Sequence, residues 1–177
     1  YASNIFQFTT KNFYNIGEQG PAGGIIFYSK FDTLGGWNFL ESAPSDLNSN
    51  IPWSLNTAQQ INLSTAIGTG KQNTLNIVNA YGLSGSNYAA KSCFTHIHGG
   101  FDDWFLPSRD ELITLYQNLY LQNLGSFTNG ARYWTSSGDD FFTQNAWCQK
   151  MLSNTGSVNS ITELKTTNLK VRPIRCF

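Results

Sequence analysis

The two histidines of the chain, His96 and His98, stand close to a pair of aspartates and form the clearest candidate for metal chemistry. Imidazole and carboxylate groups are common metal ligands, and Asp102 and Asp103 follow within a few residues. Gly99, Gly100 and Phe101 separate the two pairs, however, and such a cluster is more typical of a solvated turn. We therefore expect no metal at this place.

A second acidic pair, Asp139 and Asp140, lies in a loop that follows a glycine. Carboxylate and carbonyl oxygens are the ligands that Ca²⁺ prefers. Calcium-dependent sugar-binding lectins carry Glu-Pro-Asn or Gln-Pro-Asp followed by Trp-Asn-Asp, and this chain contains none of these motifs. The sequence therefore predicts no calcium-bridged sugar site, and we expect no metal and no cofactor.

The candidate nucleophiles are two serines and three cysteines. Neither Ser108 nor Ser137 lies in a Gly-x-Ser-x-Gly elbow, and the spacing of Cys93, Cys148 and Cys176 fits neither a zinc knuckle nor a CxxC redox motif. A thiolate of Cys148 paired with a histidine could act as a nucleophile, whereas Cys93 is expected to be buried in a helix. A Cys148–Cys176 or Cys93–Cys176 disulfide stays open. We expect no catalytic residues and no enzymatic activity.

The most informative stretch is the polar loop around two adjacent phenylalanines, Phe141 and Phe142. Exposed, they would be anchors of a contact patch; buried, they would fill the lower core. Aromatic faces beside amides suit both sugar rings and protein surfaces. The predicted ligand-binding residues are Asp139, Phe141, Phe142, Gln144, Asn145 and Trp147.

Strand alternation qualifies this prediction at its C-terminal end. A period of two places Asn145, Trp147 and Gln149 on one side of their strand, and only one side can face a ligand. Trp147 could equally face the core. The site prediction therefore rests first on residues 139–145 and less on Trp147.

The composition excludes several classes of partner. The formal net charge is zero, only 12% of residues are charged and 15% are aromatic. Binding to nucleic acid requires clustered cations, so we expect no nucleic-acid partner. No apolar run of about 18 residues is present, which excludes a helical membrane span. The length of 177 residues suits one domain, predicted as an N-terminal arm or first strand over 1–16 and a domain over 17–177.

Breakers, caps and periodicity predict how the chain is organised. Ser108 and Glu111 form a capping box at the start of a helix. Gly17 to Gly23 spells two collagen-like triplets, which are too short for a triple helix and leave chance or the end of a stalk open. Helices are predicted over 71–81, 88–98 and 108–122, and strands over 25–28, 37–41, 104–106, 133–137, 145–151 and 169–175. This order indicates an α+β fold, with two or three helices against a twisted, mostly antiparallel sheet.

Several motifs together resemble a known bacterial family. They are GPAGGIIFY, GWNFLESAP, IGTGKQNT, AAKSC, GGFDDWFLPSRDEL, YWTSS, NAWCQ and VRPIRCF, and the piece around Trp104 to Leu112 is the most specific. Over residues 16–177 the chain resembles the domain of unknown function numbered 1566, which is also called the C-terminal domain of the Legionella collagen-like adhesin.

The resemblance implies a C-type-lectin-like fold, shared with formylglycine-generating enzymes. It implies an extracellular domain on a bacterial surface, a fibre tip or a phage tail that recognises a glycan or a surface protein. A homotrimer through an N-terminal stalk would fit such a protein. Two alternatives stay open: a catalytic relative of the formylglycine-generating enzymes, whose cysteine motif is absent here, and a structural fibre subunit.

Overall fold

The computed structural model describes residues 13–47, 49–55, 61, 63–153 and 159–177. Within these ranges, helices lie between strands along the chain, and the predicted α+β class is confirmed. The strands are β1 (Ile25–Ser29), β2 (Phe39–Ser42), β3 (Arg132–Gly138), β4 (Asn145–Lys150), β5 (Ser160–Leu164) and β6 (Ile174–Cys176). The helices are α1 (Gly70–Tyr81), α2 (Ala89–Phe94) and α3 (Arg109–Asn118), and a 3₁₀ turn covers Tyr120–Gln122.

The strands form two antiparallel sheets of three strands each rather than a single sheet. One sheet has the order β1-β2-β6 and the other the order β3-β4-β5. The C-terminal segment passes between them: Lys170 forms a parallel bridge with Tyr133 of β3, and Ile174 begins β6 beside β2. Pro173 lacks an N–H group and separates these two contacts, so the strand predicted over 169–175 is regular only at its end.

The start of α3 is fixed by the predicted capping box. The Ser108 hydroxyl accepts from the Glu111 N–H, and the Glu111 carboxylate accepts from the Ser108 N–H at 2.6 Å. The helix packs against β1, β3 and β4. It ends at Asn118 and continues as the 3₁₀ turn, so the helix predicted over 108–122 is split near its end.

Two further predicted elements differ in the structure. Helix α2 ends at Phe94, four residues before the predicted end, and Thr95 and His96 follow in a turn in which the Thr95 hydroxyl donates to the Lys91 carbonyl. The strand predicted over 104–106 was wrong, because only Phe105 pairs, in a single bridge with Ile174. Strand β5 was not predicted, since its sequence SITEL lacks a continuous apolar run.

The glycine-rich stretch before β1 is a folded turn around a buried carboxylate. The N–H groups of Ala22 and Gly24 donate to Glu41 Oε1 at 3.1 and 2.8 Å. A Cβ atom on Gly20 would lie 2.5 Å from the Glu41 carboxyl carbon, and one on Gly24 would lie 2.0 Å from a backbone oxygen. Close packing therefore explains why both positions are glycine. The Glu41 carboxylate also forms an ion pair with Arg175.

Two apolar clusters hold the sheets and helices together. One surrounds Trp53 and Trp134 between α1, α2 and the β3-β4-β5 sheet, and the other surrounds Phe27 and Leu112 between α3 and the β1-β2-β6 sheet. Both clusters include side chains of β3 or of the residues next to it. The β3–β4 hairpin is therefore firmly supported at its base. Among the described helices, none combines the length and apolar character needed to cross a bilayer.

Candidate functional site

The loop that joins β3 to β4 is built around the side chain of Asp139. Its Oδ1 atom accepts hydrogen bonds from the N–H groups of Phe141 and Phe142 at 2.9 and 3.2 Å. The Asp139 N–H donates to the carbonyl of Asn145, and the Asn145 N–H donates to the carbonyl of Phe142 at 2.7 Å. The carboxylate therefore replaces backbone partners inside the turn, as aspartates commonly do in tight loops.

A buried lysine from the segment after β5 holds the loop from below. Lys165 donates from its ammonium group to the Thr143 carbonyl at 2.7 Å and from its backbone N–H to the Gln144 carbonyl at 2.9 Å. The ammonium group also lies 4.7 Å from the centre of the Trp53 ring. Burial lowers the pKa of Lys165, and the nearby charge of Asp139 opposes this effect. The loop thus has internal and external anchors.

Two aromatic side chains of this anchored loop are exposed to solvent. Phe141 is 91% exposed and Phe142 is 67% exposed. Of the two alternatives that the sequence left open, the structure shows the exposed one. Together with Thr143, Gln144 and Asn145 the two rings line an open depression of about 280 Å³. A pair of large apolar groups held in water by a hydrogen-bonded turn is a surface suited to contact with a partner.

The six residues predicted from the sequence take three different positions. Phe141, Phe142, Gln144 and Asn145 line the depression, whereas Asp139 is buried beneath it. Trp147 lies further along β4 and is half-buried, with the Arg109 guanidinium 5.1 Å from its ring centre. Strand alternation holds for Trp147 and for the buried pair Ala146 and Cys148, but Gln149 is buried as well.

Sequence reasoning missed Thr143 and Lys165. Thr143 contributes its backbone carbonyl to the loop anchor and lies between predicted residues, so loop membership alone would have indicated it. Lys165 is 21 residues beyond Gln144 in a polar stretch after an unpredicted strand. No local signal in the sequence indicates that its ammonium group reaches the loop.

The two histidines form a packed pair. Their rings are parallel, with centroids 6.0 Å apart, and both meet the edge or face of Trp104. Burial lowers the pKa of His96, and the neighbouring His98 adds to this effect. Asp103 is held by the Arg175 guanidinium in two hydrogen bonds. Across the described ranges, no group of three or more metal-ligating side chains comes together.

All three cysteines are free thiols, so neither of the two disulfides considered from the sequence is formed. Cys93 is fully buried, as predicted, and burial raises its pKa well above the ordinary value. Burial likewise raises the pKa of Cys148 to about 12 and the pKa of Cys176. A thiol with a raised pKa carries little thiolate near neutral pH and is a poor nucleophile.

These features describe an α+β domain with a preformed aromatic loop at the tip of a supported hairpin. The chain matches the family model described as the Lcl C-terminal domain over residues 43–175, a range that includes the whole β3–β4 hairpin. It belongs to this family. The resemblance to the C-terminal domain of the collagen-like adhesin is thereby confirmed, and the domain is adhesin-related. A search of curated proteins gave no match.

Proposed function

We propose that this domain is a non-catalytic, extracellular binding module of an adhesin or fibre tip, and that it contacts a glycan or a surface protein through residues 141–145. The observation that carries the proposal is the exposure of Phe141 and Phe142 on a turn that Asp139 and Lys165 hold in place. A rigid aromatic surface loses little conformational entropy when a ligand covers it, which favours its use as a binding site.

The chemistry of the loop supports a neutral ligand surface. Sugar rings stack on aromatic faces and accept or donate hydrogen bonds to amides such as those of Gln144 and Asn145. The same groups suit a protein surface. The two sheets and three helices are compatible with the C-type-lectin-like arrangement and the domain-1566 classification that the resemblance implies, and in that fold the loops around this strand form the ligand face.

The state of the thiols supports a role without catalysis. A relative of the formylglycine-generating enzymes would need two reactive thiols in contact. Cys93 and Cys148 are buried with raised pKa values, and each cysteine is free. Thiols in this state favour a binding role over such chemistry.

A glycan array and a panel of extracellular matrix proteins, probed with the isolated domain, test the proposal. We expect binding to at least one array component by the wild-type domain and its loss in the double variant Phe141→Ser/Phe142→Ser. The matched control is Phe31→Ser/Leu34→Ser, which removes two side chains that are each 77% exposed on the β1–β2 connection. Equal binding by the wild type and the loop variant would overturn the site.

A structural role in a fibre is a second candidate, favoured by the apolar groups near the N-terminal end of the described chain. Phe13 lies 6.4 Å from Phe31, centroid to centroid, and both rings and the Leu34 side chain are exposed. If copies of the domain associate through this surface, Phe31→Ser/Leu34→Ser lowers the mass measured by light scattering and the loop variant does not. The predicted arm over 1–16 lies largely outside the described residues.

A further inference from the structure

A second depression lies at the other end of the β3–β4 hairpin from the aromatic loop. It has a volume of about 390 Å³ and lies between the 3₁₀ turn after α3, the connection to β3 and the segment after β4. Its lining includes Tyr120, Asn123, Ser126, Phe127, Asn129 and Ser153. This volume falls near the lower limit of small-molecule sites, which range over about 300–1,000 Å³, so one small ligand would fill it.

The lining combines aromatic rings and two leucines, Leu121 and Leu124, with uncharged polar side chains. No residue that lines the depression carries a formal charge. The Asn129 Oδ1 atom accepts a hydrogen bond from the Tyr120 hydroxyl at 2.7 Å. The Asn129 amide N–H groups take no part in this bond. The side chains of Asn123, Ser126 and Ser153 form no hydrogen bond with another residue of the described ranges. The depression therefore offers several neutral donors and acceptors to a ligand.

The wall of the depression is held rigidly. Phe127 has the Arg172 guanidinium 4.0 Å from its ring centre, and Arg172 also donates to the Gly125 carbonyl at 2.8 Å. The Thr128 N–H donates to the Tyr133 hydroxyl at 3.0 Å. These contacts come from side chains of the folded core, so the loop does not need to be ordered by a ligand. A preformed wall lowers the entropic cost of binding.

Two residues of the lining hold an unusual backbone conformation. Asn123 has φ of 58° and Ser126 has φ of 51°, both in the left-handed region. Asparagine tolerates this region well, but serine adopts it rarely, and such conformations concentrate at ligand sites. Both residues line the same depression.

We propose that this depression binds a neutral saccharide of one or two rings. Uncharged hydroxyl-rich ligands match uncharged amide and hydroxyl groups, and the rings of Tyr120 and Phe127 offer apolar surface to the C–H faces of a sugar. Charged sugars such as sulfated units gain nothing here, because the lining supplies no cation. The site is separate from the proposed contact loop: the seven residues of β3 span about 20 Å at about 3.3 Å per residue.

Nuclear magnetic resonance titration of the ¹⁵N-labelled domain with maltose, cellobiose, lactose and N,N′-diacetylchitobiose tests the proposal. We expect at least one disaccharide to shift the backbone amides of residues 120–129 and the Asn123 and Asn129 side-chain amides, with a millimolar dissociation constant that is insensitive to added salt. Asn123→Gly keeps the left-handed conformation, removes the amide group and should weaken binding about tenfold.

Two control variants accompany the sugar titration. Gln122→Ala changes an exposed neighbour outside the lining and should leave the affinity unchanged. Phe141→Ser/Phe142→Ser should also leave it unchanged, which separates this site from the contact loop. The proposal is wrong if none of the four sugars shifts residues 120–129, if Asn123→Gly and Gln122→Ala behave alike, or if a sulfated disaccharide binds better and loses affinity in salt.

Discussion

Asp139 supports the proposed contact loop from inside the turn. Its carboxylate is buried and accepts the N–H groups of Phe141 and Phe142, so it determines where both rings point. The sequence placed it among ligand-contacting residues because one carboxylate beside aromatic rings and amides suits contact with a sugar or a protein surface. The structure instead assigns it to the scaffold of the loop.

Replacing Asp139 tests this role at the level of a single oxygen. Asp139→Ala removes the acceptor for two N–H groups and should weaken binding to the array-identified ligand about tenfold, since one lost hydrogen bond corresponds to about 0.5–1.5 kcal/mol. Asp139→Asn keeps an acceptor oxygen at the same place and should retain most of the affinity. Surface plasmon resonance measures both variants. Equal losses in the two would contradict this role, because they would mean that the negative charge rather than the acceptor oxygen is needed.

The residue scale also shows where prediction from sequence stops. The spacing of Ser108 and Glu111 predicts their capping box, because that interaction is local. The sequence also draws attention to the two phenylalanines, but their loop is anchored by Lys165, which lies further along the chain, after β5. Long-range contacts of this kind leave no periodic pattern in the sequence. The same reason explains why Arg109 over Trp147 was not anticipated.

Among the elements, α3 contacts parts of the chain that are far apart in the sequence. Glu111 in its first turn accepts the N–H of Ser108 and, at 2.8 Å, the N–H of Gly68 next to the start of α1. Gly70 has no room for a side chain, because a Cβ atom would lie 2.2 Å from a Glu111 oxygen. One carboxyl group thus joins the starts of two helices. Burial raises the pKa of Glu111 to about 7, although these N–H donors oppose the change.

This pKa predicts how stability depends on pH. A carboxyl group whose pKa rises on folding stabilises the folded state through its protonated form. For Glu111 this stabilisation is fully present at pH values below the ordinary pKa of 4.5 and is lost as the pH rises through about 7. The free energy of unfolding of the wild type, minus that of Glu111→Gln, should therefore fall by up to about 3 kcal/mol across this window, since one pKa unit corresponds to about 1.4 kcal/mol. Urea denaturation at a series of pH values measures the difference.

Asp140→Asn, which removes an exposed carboxylate, is the matched control for this series. A difference between wild type and Glu111→Gln that rises with pH between 4.5 and 7 would contradict the prediction. It would mean that the N–H donors of Ser108, Gly68 and Gly70 outweigh burial and hold the group ionised.

The remaining elements differ in how well the sequence indicates them. Helix α1 was predicted to within one residue, because Gly70 and Gly82 limit an amphipathic stretch. Helix α2 is shorter than predicted, because Thr95 ends it and the two histidines turn to pack on Trp104. Strand β5 has a polar sequence and is stabilised by its pairing with β4, which is a tertiary interaction. Propensity alone could not indicate it.

At the scale of the whole molecule, the apolar core and the two surface depressions occupy different parts of the domain. The two apolar clusters share the base of the β3–β4 hairpin, while the aromatic loop lies at its tip and the neutral depression at its other end. The low content of charged residues fits surfaces that act through aromatic and amide groups, and it makes salt-resistant contacts the expectation for both. Membership of the Lcl C-terminal domain family is consistent with such a contact role.

Nuclear magnetic resonance mapping of the array-identified ligand on the wild-type domain shows directly whether residues 141–145 bind it. If residues 141–145 are the contact surface, addition of the ligand shifts the backbone amides of this loop and the ring signals of Phe141 and Phe142, while the signals around Phe31 and Leu34 stay in place. Shifts confined to the β1–β2 connection, with the loop signals unchanged at saturating ligand, would contradict the account.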